Sequence, residues 1–261
     1  MPFHFHKYQG TGNDFIMIDD REQRFPAQDT GFIAHCCDRR FGVGADGLIL
    51  VQHHPNADFK MVYFNADGRE STLCGNGARC TVAFAAALGM VEKQTTFFAI
   101  DGLHTATIEP DQTIALRMHD VEEFRCEKNH SFLDTGSPHH VEMVEDLAHF
   151  PVVEKGRAIR QGAPYFSEGT NVNFVEKVNE TTFAIRTYER GVEDETLSCG
   201  TGATAVALAM HKTGMTQNQH LNILVEGGQL SVSFKPSAKG YTAIDLQGPA
   251  QFVFEGNLPQ Q

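Results

Sequence analysis

The chain has 261 residues, enough for one large domain or for two of about 130 residues with separate cores. A formal charge of −12 at pH 7 argues against nucleic acid or an anionic membrane as the partner. No apolar run reaches membrane-spanning length, and the first residues lack a charged segment leading into an apolar one. We therefore expect a cytoplasmic protein without a membrane span.

The cysteines do not form a metal or disulfide framework. There are six of them, with no paired CxxC knuckles: Cys36, Cys37, Cys74, Cys80, Cys126 and Cys199. So few cysteines in a chain of this length indicate reduced thiols, and four of the six have no special context. The histidines are scattered without ligand spacing, so we expect no metal site.

The first half of the chain alternates strand and helix patterns. A glycine-rich turn at 7–14 leads into a predicted strand over 15–19. Further predicted elements are a helix over 31–39, strands in 41–51 and 61–64, and, after a second helix, strands over 96–100, 104–108 and 113–118.

Two short stretches place a cysteine before a Gly-x-Gly turn: Cys74-Gly75-Asn76-Gly77 and Cys199-Gly200-Thr201-Gly202. Small apolar residues follow each turn, over 78–88 up to Gly89 and over 203–211 before Gly214. Each pattern predicts a helix with a glycine at its C-terminal end and the cysteine at its N-terminal end. Unpaired amides and the helix dipole there make a thiol easier to ionise.

The second half repeats the landmarks of the first at an offset of 124 to 126 residues. The paired positions include Thr11 with Thr135, Gly44 with Gly169, Cys74 with Cys199, Gly102 with Gly228, and Pro110 with Pro236. A repeat of this length indicates a duplicated domain, because solenoid periods are roughly 20–50 residues.

Each predicted central helix has little polar surface and must be surrounded on most sides. We predict an α/β (α+β) fold of two pseudo-symmetric halves, each a curled, mostly antiparallel sheet around a central apolar helix. The predicted domains are 1–121 with Cys74 and 122–249 with Cys199, and a final strand in 250–261 joins the first half. The predicted boundary is the charged stretch 121–129.

A pseudo-dyad would turn the two cysteine loops toward one cleft, where ligands commonly bind. One thiolate and one thiol on opposite faces of a carbon are what a two-base epimerisation needs. The amides at Gly75-Asn76 and Gly200-Thr201 would then bind a carboxylate and stabilise developing negative charge. Loop asparagines are also common turn formers, and Glu189-Arg190 also fits an ordinary surface ion pair.

Six motifs, in order and spacing, resemble the diaminopimelate epimerase family over nearly the whole chain. They are residues 10–15, 40–47, 64–68, 74–80, 169–174, and 188–191 followed by 199–202. The resemblance implies interconversion of LL- and meso-2,6-diaminopimelate for lysine and peptidoglycan synthesis, with no pyridoxal phosphate, metal or other cofactor. It also implies a homodimer.

The resemblance assigns roles to particular residues. Cys74 and Cys199 would be the two acid/base residues, supported by His139 and Glu189. The implied substrate-binding residues are Asn13, Asn65, Gly75, Asn76, Asn171, Glu189, Arg190, Gly200 and Thr201. The chain departs from the family pattern at Ser137, at Gly47 and in a longer loop over 191–198, which affects details of substrate contact.

Other functions fit parts of the pattern. A proline racemase or hydroxyproline epimerase shares the paired-cysteine logic, but Arg190 and the asparagines favour a long substrate with a distal amino acid end. A phenazine-biosynthesis-like isomerase would use a carboxylate in place of paired thiols. A silent binding module or a thiol redox sensor would not need the carboxylate-binding amides or Arg190.

Overall fold

The computed structural model describes residues 2–258 and divides them into two compact units. The first runs up to Leu116 and includes the C-terminal segment from Gly248, and the second is Arg117–Gln247. The boundary between the units lies after Leu116, a few residues before the expected stretch 121–129. Val121 belongs to the second unit, where it forms a β-bridge with Tyr241. None of the helices in this described range is both long and apolar enough to cross a membrane.

The first unit contains seven consecutive strands and two helices. These are β1 (Phe3–Gly10), β2 (Asn13–Asp19), α1 (Thr30–Cys37), β3 (Gly47–Gln52), β4 (Phe59–Asn65), α2 (Gly75–Ala87), β5 (Gln94–Ala99), β6 (Gly102–Ile108) and β7 (Ile114–Arg117). Neighbouring strands pair in chain order, in parallel for β2–β3 and β4–β5 and antiparallel for the others.

The second unit repeats this order. Its elements are β8 (Phe124–Cys126), β9 (His130–Asp134), β10 (Pro138–Met143), a 3₁₀ turn (Leu147–His149), α3 (Val152–Gln161), β11 (Asn171–Lys177), β12 (Thr182–Glu189), β13 (Asp194–Thr196), α4 (Gly200–Lys212), β14 (His220–Val225), β15 (Gly228–Pro236) and β16 (Tyr241–Gly248). Here β10–β11 and β12–β14 are the parallel pairs. The same alternation of parallel and antiparallel pairs confirms the duplication.

The last strand, β17 (Gln251–Leu258), completes the first unit. It pairs antiparallel with β1, as β8 pairs antiparallel with β9 in the second unit. In the second unit this strand, β8, comes just before its partner β9 in the chain, whereas the first unit receives the corresponding strand, β17, from the C-terminal segment. The fold is mixed α+β and mostly strand.

Each unit packs its strands around one small-residue helix. Helix α2 contacts β1 to β4 and β6, and α4 contacts β9, β10, β11, β14 and β15. Both helices begin directly after their cysteines, as predicted, and the Gly-x-Gly residues form the first helical turn ahead of the apolar runs. Gly89 and Gly214 follow the helices with φ of +71° and +76°, which confirms the predicted glycine caps.

Two further helices cover the outer sides of the strands. Helix α1 buries Phe32 and Ile33 against residues of β1 to β3, and Asp29 caps it by accepting the Phe32 amide at 2.9 Å. Helix α3 packs Val152 against Phe174 and Tyr188 of β11 and β12. These apolar contacts hold in place the strand ends that carry the site residues.

Candidate active site

Cys74 and Cys199 both occupy the residue just before a central helix. Their backbones are extended, with φ/ψ of −98°/121° and −121°/110°. Their carbonyls accept the first helical bonds, from Ala78 at 2.7 Å and Ala203 at 2.9 Å. Each sulfur therefore lies at the positive end of a helix dipole, beside first-turn amides.

Two asparagines surround Cys74. The Cys74 Sγ donates to Asn13 Oδ1 at 3.4 Å, and Asn76 Nδ2 donates to the same oxygen at 3.3 Å. Asn13 Nδ2 in turn donates to Asp46 Oδ2 at 2.5 Å. Because Asp46 takes the amide hydrogen, the oxygen of Asn13 stays directed at the sulfur.

A charged cluster holds Asp46 in place. Arg39 Nη2 donates to Asp46 Oδ1 at 2.8 Å and to Asp14 Oδ1 at 2.7 Å, and Lys7 Nζ pairs with Asp14 at 2.8 Å. Burial opposes ionisation of Asp14, but the hydrogen bonds from Arg39 and Lys7 prevail and hold its pKa at about 2. Asp14 therefore stays ionised, and Arg39 joins it to Asp46, which orients Asn13.

Arg79 lies beneath the first turn of α2 with no exposed surface. Its Nη2 donates to Asn76 Oδ1 at 2.7 Å and to Thr11 Oγ1 at 3.4 Å, and its Nη1 donates to the Gly75 carbonyl at 3.4 Å. Burial lowers the pKa of Arg79, but guanidinium remains charged at neutral pH. The Cys74 cluster thus contains a buried positive charge.

Cys199 is surrounded by a different hydrogen-bond chain. Its Sγ lies 3.5 Å from Thr201 Oγ1, which lies 3.0 Å from His139 Nε2. Asn173 Nδ2 donates to His139 Nδ1 at 3.1 Å and to the His140 carbonyl at 2.9 Å. Since Nδ1 accepts a hydrogen bond, the His139 proton lies on Nε2 and is donated to Thr201.

His139 is fully buried, and this burial, with the charge of Arg190, lowers its pKa to about 3. The imidazole is therefore neutral at physiological pH. Thr201 accepts its N–H, so the Thr201 hydroxyl can donate to a Cys199 thiolate or accept from a thiol. Either protonation state of Cys199 finds a partner.

Asn171 and Arg190 lie together in the second unit. The Arg190 amide donates to Asn171 Oδ1 at 2.9 Å, and the Arg190 guanidinium donates to the Glu168 carbonyl at 3.0 Å. Glu189 Oε1 accepts from Thr196 Oγ1 at 2.6 Å. The charge of Arg190 acts on His139, which places these residues near the Cys199 cluster.

Asn65 lies at the end of a strand of the first unit. It ends β4 opposite Gly47, is exposed, and accepts the Gly68 amide through its carbonyl. At Gly47 an added Cβ would lie 2.5 Å from both the Phe64 oxygen and Tyr63, so the backbone approach there requires glycine.

Among the residues of these clusters that were not singled out from the sequence are Asp46, Arg79 and Asn173. The sequence could have pointed to Asn173, because it lies two residues after Asn171 and therefore shares its strand face. It could also have pointed to Arg79, which is a charged residue in a helix of otherwise uncharged residues. Asp46 gave no local signal, since its role depends on the pairing of β2 with β3.

Two groups of side chains within residues 2–258 have the spacing of a metal site, contrary to the expectation from scattered histidines: His4, His6 and Glu255, and Asp101, His104 and His119. His4 and His6 alternate along β1, and their Nε2 atoms lie 3.5 and 3.2 Å from Glu255 on β17. His6 Nδ1 is buried without a hydrogen-bond partner in the described chain. Burial lowers the pKa of His6, so its imidazole is neutral, and a proton on Nε2 can be donated to Glu255 while Nδ1 stays unprotonated. Ligation of a metal through Nε2 would instead place a proton on the buried Nδ1, so the contacts favour a hydrogen bond to Glu255 over a metal.

The architecture is shared with known structures over nearly the full chain. A phenazine biosynthesis protein of the PhzF family from Bacillus anthracis covers 100% of both chains, with a TM-score of 0.79 and 16% identity. A probable proline racemase from Agrobacterium radiobacter K84 covers 99% of this chain and 93% of its own, with a TM-score of 0.67 and 14% identity. At these identities the likeness defines the fold class alone.

Sequence comparison gives the family. The profile described as "Diaminopimelate epimerase" matches residues 5–122 and 131–253. A diaminopimelate epimerase from Flavobacterium psychrophilum is 57% identical over 97% of this chain and 99% of its own, and one from Aquifex aeolicus is 39% identical over 98% of both. The chain belongs to the diaminopimelate epimerase family.

Proposed function

We propose that this chain interconverts LL- and meso-2,6-diaminopimelate by proton transfer between the substrate α-carbon and the thiols of Cys74 and Cys199. One observation carries the proposal beyond family membership: each thiol begins the central helix of one of two equivalent units. A duplicated fold that keeps a cysteine at the same special position in both copies fits a reaction that uses two equivalent groups.

In the proposed reaction, the thiolate of one cysteine takes the α-proton and becomes a thiol. The thiol of the other cysteine then delivers its proton to the opposite face and becomes a thiolate. The reverse reaction exchanges the roles. Protons and charge balance without a redox partner or cofactor, and the first-turn amides at Gly75 and Gly200 would stabilise the negative charge beside the α-carboxylate.

The remaining polar residues would recognise the zwitterionic ends of the substrate. Arg190 is exposed and offers a guanidinium to a carboxylate, and Glu189 offers a carboxylate to an ammonium group. Asn13, Asn65, Asn76, Asn171 and Thr201 would supply neutral hydrogen bonds. Asn171 also fixes the backbone of Arg190, so its effect on binding would be partly indirect.

Isotope exchange tests this function directly. In deuterated water, LL-diaminopimelate should give meso product with one deuterium at the inverted α-carbon, measured by mass spectrometry. L-Proline and trans-4-hydroxy-L-proline serve as parallel substrates. Label entering proline while diaminopimelate stays unlabelled would reassign the chain to the racemase alternative, and no label in any of these substrates would contradict the proposed reaction.

We propose that the protein forms a homodimer through β17, as the family resemblance implies. Phe252, Val253 and Phe254 are consecutive on this strand and 44–53% exposed. Adjacent exposed apolar residues on an outer strand are a characteristic pairing surface.

Sedimentation velocity tests the dimer with a matched pair of variants. Val253→Glu should give monomers where the wild type sediments as a dimer. Val178→Glu, at a similarly exposed valine of the other unit, should leave the dimer intact. A monomeric wild type, or a Val253→Glu protein that still sediments as a dimer, would exclude this interface.

We further propose a cytoplasmic location and a role in lysine and peptidoglycan precursor synthesis. The proposed reaction needs both thiols reduced, which the cytoplasm maintains. Cys36, Cys37, Cys80 and Cys126 are also thiols outside any disulfide.

A further inference from the structure

Arg79 is a charged residue where charge is costly. It is fully buried on α2, and transfer of an ion from water to a protein interior costs several kcal/mol unless other groups compensate it. Its hydrogen-bond acceptors are neutral: Asn76, Thr11 and backbone carbonyls, including that of Pro249 at 3.5 Å. These bonds give each guanidinium nitrogen an acceptor but do not balance its charge.

Two thiols could balance this charge. Those of Cys80 and Cys74 act on Arg79 in the direction that raises its pKa. Burial raises the pKa of Cys80 to about 12, so Cys80 is neutral at physiological pH. Cys74 is only partly buried and lies at the end of a helix dipole, so its thiolate is the available counter-charge.

Hydrogen bonds connect the guanidinium to the sulfur. Arg79 holds the oxygen of Asn76, so the Asn76 amide nitrogen faces Asn13 Oδ1, the oxygen that accepts from Cys74. An acceptor oxygen beside the sulfur favours the thiol, whereas the buried cation favours the thiolate. Loss of the cation would leave the opposing influence of Asn13 in place.

The second unit has no arginine at the corresponding place. Thr204 lies five residues after Cys199, as Arg79 lies five after Cys74, and its hydroxyl donates to the Gly200 carbonyl at 3.1 Å. The chain therefore places a fixed positive charge in the Cys74 cluster and a neutral hydroxyl at the matching position of the Cys199 cluster.

We propose that Arg79 is a positioning residue for the Cys74 half of the reaction, which fixes the Asn76 amide and supplies the permanent positive charge that balances the Cys74 thiolate. This inference rests on the proposed acid/base role of Cys74. It assigns the charge balance of that sulfur to one side chain.

Thiolate-selective alkylation tests the inference without any substrate. Iodoacetamide modification of Cys74 and Cys199 would be followed against pH by mass spectrometry, in wild type and in Arg79→Gln, Arg79→Lys and Thr204→Val. Trypsin cleaves after residue 79 in the wild type, so Cys74 and buried Cys80 fall in separate peptides. For Arg79→Gln, fragment ions locate the label.

Arg79→Gln should raise the midpoint pH for Cys74 alkylation by about one unit or more, and so slow it about tenfold at neutral pH. Arg79→Lys should retain most of the wild-type midpoint because it retains the charge, but raise KM because it cannot hold Asn76 in the same way. Thr204→Val should leave the Cys74 midpoint unchanged, and neither Arg79 variant should move that of Cys199.

A folded Arg79→Gln protein with an unchanged Cys74 midpoint would overturn the inference, as would equal shifts at both cysteines. If Arg79→Gln does not fold, the wild type still decides: a Cys74 midpoint at or above that of an ordinary thiol, about 8.5, contradicts a thiolate balanced by Arg79. Isotope exchange separates the two proposals, because labelled meso product with an unchanged midpoint refutes only the role of Arg79.

Discussion

Cys74 and Cys199 begin equivalent helices, yet the side chains packed beside them differ in chemistry. The parallel strand pairs of the two units have the same register. Phe15 pairs with Gly47 in the first unit, as His139 pairs with Asn171 in the second. Two residues after these partners lie Ile49 in the first unit and Asn173 in the second. An apolar pair therefore packs under α2 where an imidazole and an amide pack under α4.

The comparison separates what duplication preserved from what it left to change. Both units keep the features that the backbone requires, namely the Gly-x-Gly turn, the small-residue helix and its glycine cap. The groups that set the charge at each sulfur diverged: a buried cation in one unit, and a neutral hydrogen-bond chain in the other. Two thiols with the same backbone position can thus be controlled by different means.

Of all the changes considered, removal of either sulfur should have the largest effect on activity. Cys74→Ala and Cys199→Ala should each lower turnover of LL-diaminopimelate at least about a thousandfold, because each removes one proton carrier. Stability should change little, which thermal unfolding would check. Cys126→Ala, at an exposed thiol, is the control and should keep full activity. Full activity in Cys199→Ala would rule out the two-base reaction.

The glycines of the two turns should respond unequally to alanine. At Gly202 the new Cβ would lie 2.5 Å from Asn173 Oδ1 and 3.3 Å from Cys199 Sγ. Because Asn173 is fixed by several hydrogen bonds, Gly202→Ala should cost about 1–3 kcal/mol in unfolding free energy and reduce activity.

Gly77→Ala is the matched control. Its Cβ would lie 3.1 Å from the end of Ile49 and 3.4 Å from Phe15, and the end of an isoleucine side chain moves more easily. Alanine also has a higher helix propensity than glycine, by about 1 kcal/mol, so Gly77→Ala should be close to neutral. Equal losses in denaturant unfolding would show that the two helix ends are packed alike after all.

Acid should destabilise the folded chain through His139. The equivalent position in the first unit is Phe15, which does not titrate. The pKa of His139 is about 3 in the folded chain against 6.5 as a reference. Between these values the unfolded chain holds a proton that the folded chain lacks, so stability falls as the pH falls. The contribution is about 1.4 kcal/mol for each pH unit well inside this range.

His139→Phe, which copies the first unit, should remove this contribution. Denaturant unfolding between pH 4 and 7 should show a shallower decline than in the wild type. His35→Phe, at an exposed histidine of α1, should keep the wild-type decline. An identical decline in wild type and His139→Phe would mean that His139 takes up protons equally well in the folded chain.

Local sequence signals predicted the central helices, their glycine caps and the position of each cysteine. The prediction succeeded because helix ends depend on residues within a few positions of one another, as at Gly89 and Gly214. Gly75 and Gly200 form the first helical turn although glycine has a low helix propensity, since packing by the surrounding strands offsets that cost. The short strand β8 had no local pattern and depends on its pairing with β9.

The sequence by itself determined that a fold was duplicated, and it placed a thiol at the same helix end in both copies. Those features are local or periodic, so they can be recognised from the linear order of residues. Only the tertiary structure decided that Arg79 lies beneath Cys74 with Asn76 and Asn13, and that Asn173, His139 and Thr201 form a chain to Cys199. These contacts join residues on different strands and helices, and the charge that a buried group carries depends on neighbours that only folding brings together.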